Sequence, residues 1–360
     1  TFFLPFNLGS LDGGAGNPPA PDHSQYATGY LWQRLFQPDA WLKVLGRFLH
    51  LQKSVKEDPD GKRVTKETLI FPRYHQWEVV NRLIETTRAE GPGKRYLIQH
   101  SAGSGKSNSI AWTAHQLASL YDAEGQRLFN SVIVITDRTV LDKQLQDTIY
   151  QFEHAQGVVK CITRDIGSQS KSEQLAEALA EQTRIIIVTI QTFPALFDAL
   201  DKYPKLASGR YAVIADEAHS SQTGSSASKL KQILGSDAVV GKEGDAEEIS
   251  AEELLDAAVA ARAPNERISY YAFTATPKAK TLELFGRPAN PELPSSSDNK
   301  PEAFHLYSMR QAIEEGFILD VLQNYSTYKT YWRLLKKIED DPHYEKGKAT
   351  YLLKSFVELH

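Results

Sequence analysis

The eight residues His100–Ser107, HSAGSGKS, constrain this chain more than any others. They follow the apolar run YLI at 96–98 and precede a helix-like stretch from Asn108 to Leu120, so strand, tight glycine loop and helix must follow one another directly. Glycines there let the backbone curl until its N–H groups face the β- and γ-phosphates of a nucleotide. The following helix presents its positive end, and Lys106 adds a full charge. The expected site therefore binds a nucleoside triphosphate with Mg²⁺. Its contacts are Ala102, Gly103, Ser104, Gly105, Lys106, Ser107 and Asn108, with Lys106 catalytic and Ser107 on the metal. One position departs from the usual pattern, because His100 stands where such loops begin with glycine.

Short apolar runs set the surrounding architecture: YLIQ at 96–99, SVIVIT at 131–136, VVKCIT at 158–163, RIIIVTI at 184–190, YAVIAD at 211–216 and ISYYAFT at 268–274. Their continuous apolar character is that of parallel strands buried on both faces. Helical patterns near 73–90, 106–121, 139–153, 172–182 and 192–201 alternate with them, so the repeat is βαβ and the expected fold is an α/β doubly wound parallel sheet. Ligands of such sheets bind at the C-terminal strand edge.

Around this core, residues 1–68 read as an N-terminal linker and helical segment, 69–303 as the nucleotide-binding domain, and 304–360 as a connector. Tyr30 to Leu51 has a helical pattern broken at Pro38, and SVKEDPDGKRVTKE reads as a polar loop or hairpin. An acidic stretch within 237–262 reads as a surface insertion. Beyond Pro288 a Pro/Ser/Asn-rich loop leads to a helix over 309–316, a strand near 320–330 and a last helix beyond Tyr344. The single cysteine, Cys161, excludes an internal disulfide and a cysteine-based zinc cluster, and suits a reducing cytoplasm. No segment has the length of a membrane span, so no membrane partner is expected. The net charge of −4 argues against broad coating of nucleic acid but leaves a local basic groove open.

Two further strand ends carry chemistry. In ADEAH at 215–219, Asp216 can meet the Mg²⁺ held by Ser107, and Glu217 can orient an attacking water. Both are expected to be catalytic, although an Asp-Glu pair also caps helices. In FTATP at 273–277, Thr274 and Thr276 bring hydroxyls toward the carboxylates. Upstream, Gln76 of FPRYHQ has the donor and acceptor that suit the edge of adenine; a plain helix start after Pro72 explains it equally well.

Taken in order, FPRYHQ, HSAGSGKS, TDRTVLDKQL, VTIQTF, ADEAH and FTATPK resemble the motifs of superfamily 2 helicases, whose domains are RecA-like. TFFLPFNLG, GGAGNPP, DEAHSSQTG, FTATPKAKTLELFG and SMRQAIEEGFILDVLQNY further resemble the restriction (motor) subunit of type I restriction–modification enzymes, over nearly the whole chain. That resemblance implies an ATP-driven translocase of double-stranded DNA, working with methylation and specificity subunits in a DNA-cleaving complex. It also implies that His219, Thr274 and Thr276 couple nucleotide state to DNA grip. Thr136, Asp137, Arg138, Thr189, Gln191 and Thr192 would then line the DNA path, holding phosphates without reading bases.

The chain departs from the family pattern in two ways. No second βαβ series or arginine-rich motif follows Phe285, so the arginines that complete such ATP sites are expected elsewhere, and this chain alone is expected to be weakly active. The nuclease cluster is expected before residue 1. Asp39, with Asp60 and Lys62, imitates its spacing but falls in a helix-like stretch and a Pro-Gly turn. Two alternatives remain open: another superfamily 2 DNA or RNA helicase or remodeller, and an ATP-binding scaffold that does not hydrolyse.

Overall fold

The computed structural model describes residues 6–20, 22, 25–57, 63–136, 140–152, 157–162, 170–190, 192–216, 221–222, 249–250, 266–290, 293, 296 and 298–320. Seven of its strands form one sheet: β3 (Arg95–His100), β4 (Ser131–Thr136), β5 (Val159–Ile162), β6 (Ile185–Thr189), β7 (Tyr211–Asp216), β8 (Ile268–Thr274) and β9 (His305–Tyr307). Their order is β9-β3-β8-β7-β4-β6-β5, and every neighbouring pair is parallel. Strands β1 (His50–Glu57) and β2 (Arg63–Ile70) form a separate antiparallel hairpin in which His50 pairs with Ile70.

The apolar runs are continuous because both sheet faces are buried. Successive residues alternate between two cores, as side chains on a strand must. Tyr96, Ile98, Val132, Val134, Ile185, Ile187, Ala212, Ile214, Tyr271 and Phe273 point to one cluster. Their neighbours Leu97, Ile133, Ile135, Ile186, Val188, Val213, Ala215, Tyr270 and Ala272 point to the other. The first face is covered by α2 (Tyr74–Glu90), α3 (Lys106–Ala118) and α4 (Val140–Gln151), through residues such as Val80, Trp112 and Leu145. The second is covered by α5 (Lys171–Ala180), α6 (Pro194–Lys202), the short α7 (Pro204–Ala207) and α8 (Ala279–Phe285), through Leu175, Leu196, Leu206 and Phe285. Helix starts follow local chemistry: Ser170 and Glu173 form a reciprocal capping box on α5, and Pro194 opens α6, where its missing N–H costs nothing.

The N-terminal segment differs from its expected outline. Leu31–Leu35 and Val44–Phe48 are π-helical turns flanking α1 (Pro38–Lys43), and the chain becomes extended at His50, not after Leu51. Pairing with β2 outweighs the helical spacing there. Tyr30, Leu35, Val44 and Phe48 enter the same apolar cluster as Trp77 and Trp112, and Trp112 Nε1 donates to the Phe48 carbonyl at 2.9 Å. Residues 1–68 and the sheet thus fall in one compact unit, Thr1–Phe317. The expected boundary at 303 also cuts this unit, since β9 at 305–307 pairs with β3 and α9 (Met309–Glu314) follows it. Ile318–His360 forms a second unit, of which 318–320 are described. The acidic insertion, the strand near 320–330 and the helix beyond Tyr344 lie largely or wholly outside the described residues. No helix among the described residues is long and apolar enough to cross a membrane.

Candidate nucleotide-binding site

Strand register gathers the predicted chemistry at one edge of the sheet. Strand β8 lies between β3 and β7, pairing Thr274 with Gln99 and Phe273 with Asp216. The phosphate loop that leaves β3, Thr274 and Asp216 therefore sit at the C-terminal ends of three adjacent strands. On the far side of β7, Ile135 pairs with Ala215, which brings Thr136 level with Asp216, and Thr136 pairs with Thr189. Asp216 is half-buried, Thr274 is buried and Thr276 is exposed. Only a parallel order with β8 inserted between β3 and β7 produces this row, the arrangement expected of a ligand-binding edge.

The phosphate loop turns on Gly103 and Gly105, at φ of 71° and 79°. Gly105 is the N-cap of α3, and Lys106 opens the helix. Buried Lys106 donates from Nζ to the carbonyls of His100 and Ser101, both at 3.3 Å, so its charge is directed into the loop. The hydroxyls of Ser101 and Ser104 are buried without hydrogen-bond partners. Unsatisfied hydroxyls of this kind are costly unless something polar meets them. Such donors beside Lys106 fit an anionic phosphate, and Asp216, with half-buried Ser107, fits its metal ion. Among the described residues no group of three or more His, Cys, Asp or Glu forms a metal cluster.

Gln76 is placed differently from expectation. Its side chain is buried, its Oε1 accepts from the Arg73 N–H at 2.9 Å, and its Nε2 donates to the Gly105 and Ser104 carbonyls at 3.0 and 3.4 Å. In this structure Gln76 caps α2 and braces the phosphate loop, with one acceptor position of its Oε1 left over. Three DNA-path candidates are also turned inward. Thr136, Thr189 and Thr192 are buried; Thr136 Oγ1 donates to the Val188 carbonyl at 3.4 Å, and the Thr189 and Thr192 hydroxyls bond each other at 3.0 Å. As placed, these hydroxyls are satisfied within the protein. Glu217, His219, Asp137, Arg138 and Gln191 lie outside the described residues, as do Asp60 and Lys62, while Asp39 lies on α1.

Sequence reasoning missed a set of side chains that grip the loop from behind. His75 Nε2 donates to the Ser104 carbonyl at 2.9 Å, and its ring stacks on Tyr307 at 3.7 Å. Arg73 donates to the Gly103 carbonyl at 3.2 Å, with its guanidinium over the Phe317 ring. His100 Nε2 meets His305 Nδ1 at 2.8 Å, and His305 Nε2 faces Glu78 Oε2 at 3.5 Å. Burial drives the His75 imidazole down to about 3 and holds His100 well below the ordinary histidine range, with His305, His75 and Lys106 adding to the effect on His100. Burial also lowers His305, partly opposed by Glu78. Burial would raise the Glu78 carboxyl, but His305, Arg34 and Arg82 together keep it below its usual value. The site is thus a neutral histidine cluster backing one lysine. The letters FPRYHQ hinted at His75; nothing in the sequence pattern singled out His305.

A parallel sheet with a glycine loop after one strand and an aspartate ending another is a RecA-like P-loop α/β fold. Residues 75–246 match the family of SWI2/SNF2 ATPases. The chain is 30% identical over 195 residues to the HindI endonuclease subunit of a type I restriction enzyme from Haemophilus influenzae, covering 53% of this chain and 17% of that protein. It is 25% identical over 186 residues to a protein described as the MjaVIIIP type I endonuclease subunit of Methanocaldococcus jannaschii, covering 48% and 18%. A solved fragment of a type I HsdR subunit from Vibrio vulnificus aligns over 85% of this chain and 52% of that one, at 15% identity and a TM-score of 0.36. Over this region the chain is similar to type I restriction endonuclease subunits, and it spans under a fifth of the length of the two curated relatives.

Proposed function

We propose that this chain binds ATP with Mg²⁺ and forms the first motor domain of a cytoplasmic type I restriction subunit that translocates double-stranded DNA. The observation that carries this reading is the row formed by the phosphate loop, Thr274 and Asp216 on three adjacent parallel strands. Lys106 and the loop N–H groups bind and orient the phosphates, Ser107 and Asp216 hold the metal, and Glu217 positions water. Bound Mg²⁺ supplies charge neutralisation for the phosphates. Thr274, Thr276 and His219 relay nucleotide state toward DNA.

DNA grip falls to Thr136, Asp137, Arg138, Thr189, Gln191 and Thr192. Methylation and specificity subunits are the proposed partners, and cleavage belongs to a nuclease outside this chain. An arginine supplied by a facing domain is commonly worth about 10³–10⁵ in rate, so this chain alone binds ATP but turns it over slowly. The test compares ATPase stimulation of the longer protein by duplex DNA and by RNA. Stimulation by duplex DNA, lost in Glu217→Gln, is the expected result. Stimulation by RNA instead assigns the chain to another superfamily 2 activity, and ATPase that survives Glu217→Gln removes that residue's role.

A further inference from the structure

His100 replaces the glycine that usually opens a phosphate loop, and the structure gives it a wired position. Its side chain is fully buried between β9 and α2. The hydrogen bonds have a direction. Glu78 is a carboxylate and accepts only, so His305 presents Nε2–H toward it and keeps a lone pair on Nδ1. The 2.8 Å contact between His305 Nδ1 and His100 Nε2 then requires His100 to donate. His100 is thereby fixed as one neutral tautomer, facing His75, His305 and Lys106. Its own backbone carbonyl is one of the two acceptors that hold the Lys106 ammonium. The same edge strand grips the next residue, since Ser101 N donates to the Tyr307 carbonyl at 3.0 Å, and Tyr307 stacks against the His75 that holds Ser104.

We propose that His100 is a positioning residue for the phosphate loop: pinned by His305, and through it by Glu78, it sets the loop's first residue and the resting place of Lys106. This rests on the ATP-binding reading of the same loop. A glycine at 100 leaves the buried His305 Nδ1 without its donor and frees the loop entrance to move. Side-chain contact with β9 thus does here what close backbone packing does in loops that begin with glycine. It also makes nucleotide affinity depend on His305, a residue of the strand that leads into α9.

The test is equilibrium binding of a fluorescent ATP analogue with Mg²⁺ to the full chain, alongside thermal unfolding. His100→Ala and His305→Ala are each expected to weaken binding roughly tenfold. The double variant is expected to bind about as well as either single one, because both remove the same contact. His100→Gln, which keeps a donor, is expected to recover most of the affinity, whereas His100→Leu, which fills the volume without one, is not. Should the alanine variants not fold, the Gln and Leu pair decides. Equal binding by Gln and Leu, or single effects that multiply in the double variant, overturns the proposal. Absence of binding by the wild-type chain strikes the ATP reading itself, whereas wild-type binding with unchanged folded variants strikes only the role of His100.

Discussion

Gly105→Ala tests how tightly the phosphate loop is built. At φ of 79° an alanine is strained by about 1–2 kcal/mol, and its Cβ would lie 2.6 Å from Gln76 Nε2. Gln76 cannot retreat without breaking its 3.0 Å bond to the Gly105 carbonyl, and its bond from the Arg73 N–H is at risk as well. Each such bond contributes roughly 0.5–1.5 kcal/mol. The expected cost is therefore about 2–5 kcal/mol in unfolding free energy. Urea denaturation of Gly105→Ala, Gln76→Ala and the double variant measures it. The reasoning predicts that the double variant is destabilised by clearly less than the two single effects together, because Gln76→Ala relieves the clash that Gly105→Ala creates. Strict additivity, or a Gly105→Ala chain as stable as wild type, refutes it.

Three further outcomes follow from the same contacts. Phe48→Ala removes a fully buried ring that packs on Trp112 at 5.5 Å, and should lower stability by about 3–5 kcal/mol in chemical denaturation; a loss under about 1 kcal/mol means the N-terminal segment is not part of this core. Stability should fall as pH drops below about 6.5, because the unfolded His75 takes up a proton there while the folded one stays neutral down to about 3. The limiting slope is about 1.4 kcal/mol per pH unit per such histidine, and His75→Gln should flatten it; an unchanged slope removes His75 as a source. Glu90→Gln removes the negative charge and one of the two oxygens that accept 2.8 Å bonds from Arg287, whose guanidinium also lies 4.4 Å over Tyr96. That pair is about a third exposed, so the loss should be only about 1 kcal/mol in thermal melts, and a larger one shows more burial than this structure gives it.

The sheet was readable because each strand is apolar on both faces: alternate residues such as Val132 and Ile133 serve different cores, and short runs of this kind alternating with helical patterns suit buried parallel strands. The placement of Asp216 and Thr274 followed, since strand ends of a parallel sheet share one edge. Side-chain partners did not follow. Gln76, Thr136, Thr189 and Thr192 are polar residues near that edge, and residue type cannot say whether such a group meets a ligand or its own loop. His305 escaped notice because its strand is three residues long and adjoins a Pro- and Ser-rich stretch, too short for a periodic pattern. The N-terminal turns misled for a related reason: apolar spacing near Leu49 suits a helix, but the partner strand at 63–70, far along the chain, decides the conformation from His50 onward.

The central claim, that this edge is an ATP site served by Lys106 and Asp216, is tested most directly by titrating a fluorescent ATP analogue into the chain with and without Mg²⁺. The wild type should bind saturably and more tightly with the metal. Lys106→Ala should lose at least about a hundredfold in affinity with its thermal transition intact, and Asp216→Asn should lose the dependence on Mg²⁺. Equal binding by the folded wild type and Lys106→Ala, unaffected by metal in every variant, contradicts the account.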